Sequence, residues 1–320
     1  MMEAPRALRV LLGLMLIGLL LFPLVGERFY IQYATKIMIM AIFAMSLDLL
    51  VGYTGLVSLG HALFYGVAGY ALAMAGGDAA PSLWWSLPVA MLVSALVALV
   101  VGALVLRTSG IYFIMVTLAF AQMMYFFVRD SEYFGGSDGI YLNSKPSMSI
   151  FGWAPLDLGN QLHRYYLTLA LAVATYLLLR AVLRSAFGRV LIGIRDNEPR
   201  MRSLGFPTFR YKLACFVLAG ALAGLAGYLT AVQDGIMNPE QLGWHRSGEA
   251  LVMVILGGMG TLAGPALGAG ALMLLELQFS IWTKYWQLLL GGFIIAVVLF
   301  LPGGLGSIFG RRRGGGAGHG

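Results

Sequence analysis

Charge is what this chain has least of. Asp, Glu, Lys and Arg together make up 11% of 320 residues, where a soluble domain carries about a quarter. That shortage excludes an ordinary water-soluble globular domain. Cysteine occurs once, at Cys215, which excludes an intrachain disulfide framework. It lies inside an apolar run, where a small packed side chain is its expected role. The four His residues and the single Cys have no spacing that suits a metal site. The pattern GxxxxGK[ST] does not occur, so the chain cannot supply a nucleotide-binding P-loop. No nucleophile, base and orienting group stand in a catalytic arrangement. The expectation is a protein that is not an enzyme, with no catalytic, cofactor-binding or metal-ligating residues.

What fills the space is hydrocarbon. The apolar fraction is 59% and the mean hydropathy is +0.83. Ten apolar segments can be drawn, at 8–25, 33–51, 60–76, 84–106, 111–128, 165–183, 212–232, 249–261, 264–282 and 285–301. Most approach the ~20 residues that cross a ~30 Å hydrocarbon layer. Segment 249–261 is too short for a simple crossing and runs into the Gly-rich stretch Gly257–Pro265, which reads as a discontinuous or re-entrant element. The 43 glycines suit close helix packing in lipid. The predicted fold is an all-α polytopic membrane protein with about 8–10 transmembrane helices, some short or discontinuous. Residues 1–310 read as a single transmembrane domain. The basic, Gly-rich tail 311–320 is expected to be disordered.

The net charge is +7, and its placement follows topology. Arg6 and Arg9 precede the first apolar segment, and Arg107 follows the fourth. A basic island follows the sixth, and Arg311, Arg312 and Arg313 follow the last. With ten crossings and a cytoplasmic N-terminus, all four groups face the cytoplasm, as the bias of Lys and Arg toward cytoplasmic loops requires. The long loop 129–164 falls outside, with Arg129, Lys145 and Arg164 as its cations. The first segment reads as a retained start-transfer helix rather than a cleaved signal peptide. Both termini are expected in the cytoplasm. Basic residues placed at the ends of apolar runs argue against a nucleic-acid partner.

Four motifs stand out. Gly52–Tyr70 carries small residues four apart and the polar groups Ser58 and His61, which fit either helix packing or the border of a translocation path. Ser109–Ile140 holds Thr117 and Gln122 within an apolar helix and ends in GGSDG (Gly135–Gly139). Asp138 there could bind an ammonium group or simply shape a turn. Ala214–Leu229 has the pair Gly220 and Gly224 on a small face for packing. The basic island Gly188–Lys212 carries Arg189, Arg195, Arg200, Arg202, Arg210 and Lys212 against Asp196 and Glu198. In it, Arg195, Asp196, Asn197 and Glu198 form a polar cluster, and Pro199 suits the first turn of a helix. Gly205 gives a stop. A short amphipathic element across the membrane surface fits either a plain cytoplasmic loop or a docking knob. Asp48 and Glu276 are deep charges, open as proton sites or as paired structural groups.

Together these motifs resemble the permeases of branched-chain amino acid ABC importers, specifically the LivM-type subunit. The resemblance runs from about Ile37 to Pro302. It rests on GYTGLVSLGHALFYGVAGY, on IYFIMVTLAFAQ followed by FGGSDG, on GRVLIGIRDNEPRMRSLGF with KLACFVLAGALAGLAGYL, and on LGGMGTLAGPALGA. It implies a second, LivH-type permease, two ABC ATPase subunits and a periplasmic or extracellular binding protein, in a bacterial inner membrane. It also implies that the cytoplasmic loop about 184–211 holds a coupling helix that docks an ATPase through Arg195, Asp196, Asn197, Glu198, Arg200 and Gly205. Ser58, His61, Thr117 and Gln122 are the candidates for the translocation path. Tyr53 stands where the family often has Gln, and Phe134 where it usually has Thr. Importers of urea and short amides use similar permeases, so the substrate stays open between these and amino acids. A stand-alone proton-coupled carrier using Asp48 or Glu276 is the alternative from another class.

Overall fold

In the computed structural model, residues 17–23, 26–75, 81–150, 153–301 and 303–305 are described. The sequence expectations for Arg6, Arg9 and the tail 311–320 lie outside them. The protein is an all-α polytopic membrane protein. The helices are α1 (17–23), α2 (Arg28–Thr54), α3 (His61–Ala75), α4 (Leu83–Val105), α5 (Ile111–Arg129), α6 (Gln161–Arg184), α7 (Ala186–Ser203), α8 (Thr208–Asp234), α9 (Trp244–Gly257), α10 (Gly264–Trp282) and α11 (Trp286–Phe300). Among the described residues, α2, α4, α5, α6, α8 and α10 are long and apolar enough to cross a membrane. α3 and α11 are apolar but shorter, and α9 has 14 residues. Nine of the ten apolar segments of the sequence each correspond to one of these helices, and of the first, 8–25, only 17–23 is described. α7 is the exception, built from the basic island.

α2 and α8 form the centre, since most of the apolar span of each is buried inside the protein. α8 packs against α2, α3 and α4, and small residues permit the approach. A Cβ at Gly220 would meet the Ala98 methyl, and one at Gly224 the Ser94 side chain. At Gly227 it would overlap the backbone carbonyl of Tyr65. The small face read from the sequence thus lies between α8 and two neighbours. Exposed apolar side chains such as Trp84, Leu92, Val100, Tyr112, Met115 and Phe127 belong to α4 and α5 and are left uncovered by the rest of the chain.

The two ends of the bundle differ. At one end β1 (Ile140–Tyr141) pairs antiparallel with β4 (Ile236–Met237), and β2 (Ser147–Ile150) pairs with β3 (Trp153–Asp157). At the other lie α7 and the α9–α10 connection. The loop expected at 129–164 therefore spans 130–160 and is not structureless. Arg164, counted among its cations, sits in α6 instead. Its guanidinium is buried and donates to the Leu158 carbonyl at 2.9 Å, because the chain entering α6 offers carbonyls that outcompete water. The glycines of the GGSDG turn shape the backbone. Gly135, Gly136 and Gly139 all have positive φ, and Gly139 lies directly against the Met237 carbonyl of β4.

Candidate functional site

The basic island is an amphipathic helix that continues almost directly from α6. The chain turns at Ser185, whose amide donates to the Ala181 carbonyl at 3.1 Å. The turn is so tight that a Cβ at Gly188 would run into the backbone of Leu183. α7 then buries Gly188, Val190, Leu191 and Ile194, a stripe at helical spacing. Its other face carries exposed Arg189, Arg195 and Asp196.

At Asn197 the helix breaks, with φ −160° and ψ 92°. The Arg200 amide donates to Asn197 Oδ1 at 3.0 Å. Asn197 is thus the N-cap of a second short turn, with Pro199 in that turn as the sequence predicts. Gly205 closes it at φ +86°. The Phe206 amide donates to the Met201 carbonyl at 3.1 Å and the Gly205 amide to the Arg202 carbonyl at 2.9 Å, the paired bonds of a Schellman stop. A side chain at Gly205 would meet nothing within 4 Å, so Gly205→Ala tests backbone conformation alone. The left-handed conformation should cost about 1 kcal/mol, read as faster amide exchange over 198–206.

Glu198 locks this turn to the base of α8. Its Oε1 accepts from Arg202 Nη2 at 2.7 Å, from Thr208 Oγ1 at 3.0 Å and from Lys212 Nζ at 2.9 Å. Burial alone would raise the Glu198 carboxyl, but the hydrogen bonds from Lys212 and Arg202 together outweigh it and hold the carboxyl below its usual range. A depressed folded pKa gives stability that is present above the unfolded value of about 4.3 and lost as pH falls through the folded one. The lock should therefore be constant from pH 8 to 5 and open only below about pH 4. Amide exchange around Thr208 read against pH checks this.

Arg195 ties α7 to the core. Its Nη1 donates to the Gly52 carbonyl near the end of α2, and its Nη2 lies 3.4 Å from Asp196 Oδ1. Directly behind, Asp48 Oδ1 accepts from the Gly260 amide at 2.8 Å. Gly260 belongs to the non-helical connection 258–263 between α9 and α10, the discontinuous element expected from the sequence. A Cβ at Gly52 would collide with the Gly260 backbone. Arg195, Gly52, Asp48 and Gly260 thus join α7, α2 and the α9–α10 connection at one point. Asp48 is only 1% exposed, and its Oδ2 has no hydrogen-bond partner among the described residues.

Of the six docking candidates, Asn197, Glu198 and Gly205 build the element, Arg195 anchors it, and Asp196 and Arg200 face solvent. The sequence did not single out the apolar side chains beside them. Leu204 is 63% exposed and Phe206 36%, with Phe209 at 39%. Large apolar side chains inside a basic, solvent-facing turn were the available signal.

The four path candidates divide. The chain breaks between α2 and α3, and Ser58 Oγ there accepts from the Gly60 amide at 3.2 Å. His61 is fully buried, its Nε2 2.9 Å from Ser46 Oγ, its ring 5.5 Å from that of Phe43. Thr117 Oγ1 accepts from the Leu59 amide at 3.3 Å and donates to the Ile114 carbonyl at 2.8 Å. Ser58, His61 and Thr117 therefore meet around one break. Gln122 lies apart from them on α5, half-exposed.

A cavity of about 340 Å³ lies at the strand end of the bundle, where α8 stops and α9 and α11 start. Lys36 Nζ and Asp234 Oδ1 are 2.9 Å apart there. Arg246 pairs with Glu249 at 2.8 Å and holds Gln241 at 3.0 Å. Glu276, the second deep charge of the sequence, also lines it. Among the described residues no group of His, Cys, Asp and Glu is arranged to hold a metal ion.

These features define a multi-pass helical membrane protein with a braced surface element at one end and a charged cavity at the other. Residues 29–299 match the family described as "Branched-chain amino acid transport system / permease component". The chain belongs to that family. It is 31% identical over 305 residues to the high-affinity branched-chain amino acid transport system permease protein LivM of Salmonella typhimurium, covering 89% of this chain and 71% of the relative. It is 30% identical over 303 residues to LivM of Escherichia coli, with the same coverage. A shorter similarity, 33% over 156 residues, links it to the autoinducer 2 import system permease protein LsrC of Klebsiella pneumoniae, over 46% of this chain and 44% of the relative. No solved structure matches the chain.

Proposed function

We propose that this chain is the LivM-type permease subunit of an ABC importer for branched-chain or related amino acids, driven by ATP hydrolysis on partner chains. In this reading the α7 end faces the cytoplasm, both termini are proposed to lie on that side, and the strand end faces the binding protein. A second, LivH-type permease completes the pore, and two ATPase subunits power it in the inner membrane. The observation that carries the reading is the element Arg195–Gly205. It is exposed, capped at both ends and braced to α8 through Glu198. A push on such an element reaches α2 and the α9–α10 connection through Arg195 without first being absorbed by loop motion. Gln122, half-exposed, is the path candidate that could face a pore between subunits. Ser58, His61 and Thr117 support it by holding the break between α2 and α3.

Replacing Arg195, Asp196 and Glu198 together by Ala should release the ATPase on purification and abolish ATP-driven uptake at normal membrane insertion. Unchanged coupling in the stably inserted protein contradicts the docking assignment. A stand-alone proton-coupled carrier predicts instead uptake without ATPase partners and its loss when the proton gradient collapses. An importer of urea or short amides keeps the docking result and changes only the substrate profile.

A further inference from the structure

We infer that the cavity at the strand end, within this single subunit, is an acceptor site for a zwitterionic amino acid with an aliphatic side chain. This rests on the import reading, since it concerns where the subunit first takes up its cargo.

The lining has the three chemistries such a ligand needs. Lys36 and Arg246 supply cationic donors. Lys36 spends one bond on Asp234, and an ammonium has three donors. Arg246 spends one donor on Glu249 and one on Gln241, and a guanidinium has five. Both therefore retain donors for a carboxylate. Glu276 makes neither a hydrogen bond nor an ion pair among the described residues, yet it lies within electrostatic reach of Arg246 and Glu249. It is the group available to an ammonium. Ile39, Met40, Met273 and Leu277 supply an apolar wall. The volume lies at the lower end of the ~300–1,000 Å³ range of small-molecule sites.

The unsatisfied poles decide the ligand class. Lys36 is paired with Asp234 and Arg246 with Glu249, which leaves Glu276 as the carboxylate without an ion pair among the described residues. A zwitterion gives its ammonium to Glu276 and its carboxylate to the spare donors of Lys36 and Arg246, and adds no net charge. A neutral amide or urea leaves Glu276 as it is, without a counter-ion in a half-buried place. A lone amine or a lone carboxylate satisfies one pole only.

The test uses the intact importer complex in nanodiscs, without its binding protein, and equilibrium binding of radiolabelled L-leucine. Competition by unlabelled L-leucine, leucine methyl ester, 4-methylpentanoate and urea reads the recognition rule. L-leucine should compete at least tenfold better than the other three. Glu276→Gln should weaken leucine binding at least tenfold in a complex that still co-purifies with its ATPase. Met273→Trp, which fills the apolar wall and leaves the charges in place, should give the same loss. Leucine binding that is absent in the wild type, unchanged in both variants, or matched by either half-molecule or by urea overturns the site. The import reading fails separately, when the wild-type complex with its binding protein shows no ATP-dependent uptake in proteoliposomes.

Discussion

Substituting Leu204→Asp and Arg200→Glu together is expected to strip the ATPase from the permease and to cut ATP-driven uptake at least tenfold, with insertion and thermal stability unchanged. Both residues lie on the solvent side of the turn that Asn197 starts and Gly205 stops. Leu204 is 63% exposed, so its removal takes no packing from the core, and surface changes of this kind stay within about 0.5 kcal/mol. At an interface the balance reverses. Anchor residues commonly contribute about 2 kcal/mol or more, roughly a 30-fold change in affinity. The double change also swaps a cation for two anions within an island rich in arginine. The separation of effects is the diagnostic: binding falls while folding holds. ATPase co-purification, uptake and a thermal melt on the same preparation read all three.

The second large effect runs the other way. Gly227→Ala should destabilise the protein by about 3 kcal/mol or more, because the new methyl would overlap the Tyr65 carbonyl where α8 crosses α3. Tyr65 cannot withdraw easily. It is fully buried, and its hydroxyl donates to Thr230 Oγ1 at 2.5 Å. Gly248→Ala on α9 is the matched control, since a Cβ there meets nothing within 4 Å. A melt in detergent should show a large fall for the first and almost none for the second. Equal melts would mean that α3 and α8 are not packed this closely.

Local chemistry was legible in the sequence, and long-range pairing was not. Pro199 in the first turn and Gly205 at the stop are neighbours in the chain, so turn chemistry reveals them. The small face Gly220, Gly224 and Gly227 is legible for the same reason. Helix ends went astray where side chains find distant partners. α2 begins at Arg28 rather than near residue 33, since Ile31 packs in a buried cluster with Tyr165 and Leu169 of α6. α9 begins at Trp244 rather than near 249, since Arg246 is paired with Glu249 and Ser247 Oγ accepts from the Ala62 amide at 2.8 Å. The cavity escaped notice because its charges come from four helices, and no spacing along the chain joins them. The roles of Glu198 and Arg195 turned inward for a similar reason: their partners, Lys212 and Gly52, lie on other helices.

Cross-linking tests the central claim most directly. The native cysteine, Cys215, is buried, so Leu204→Cys introduces one thiol at the docking turn. Tyr133→Cys does the same at the opposite end, where Tyr133 is exposed. With a short bifunctional thiol reagent on membranes holding the whole importer, Leu204→Cys should cross-link to the ATPase subunit with a yield that changes on adding ATP. Tyr133→Cys should give no ATPase product. ATPase products from Tyr133→Cys, or none from Leu204→Cys in a complex that still transports, would contradict docking at this element.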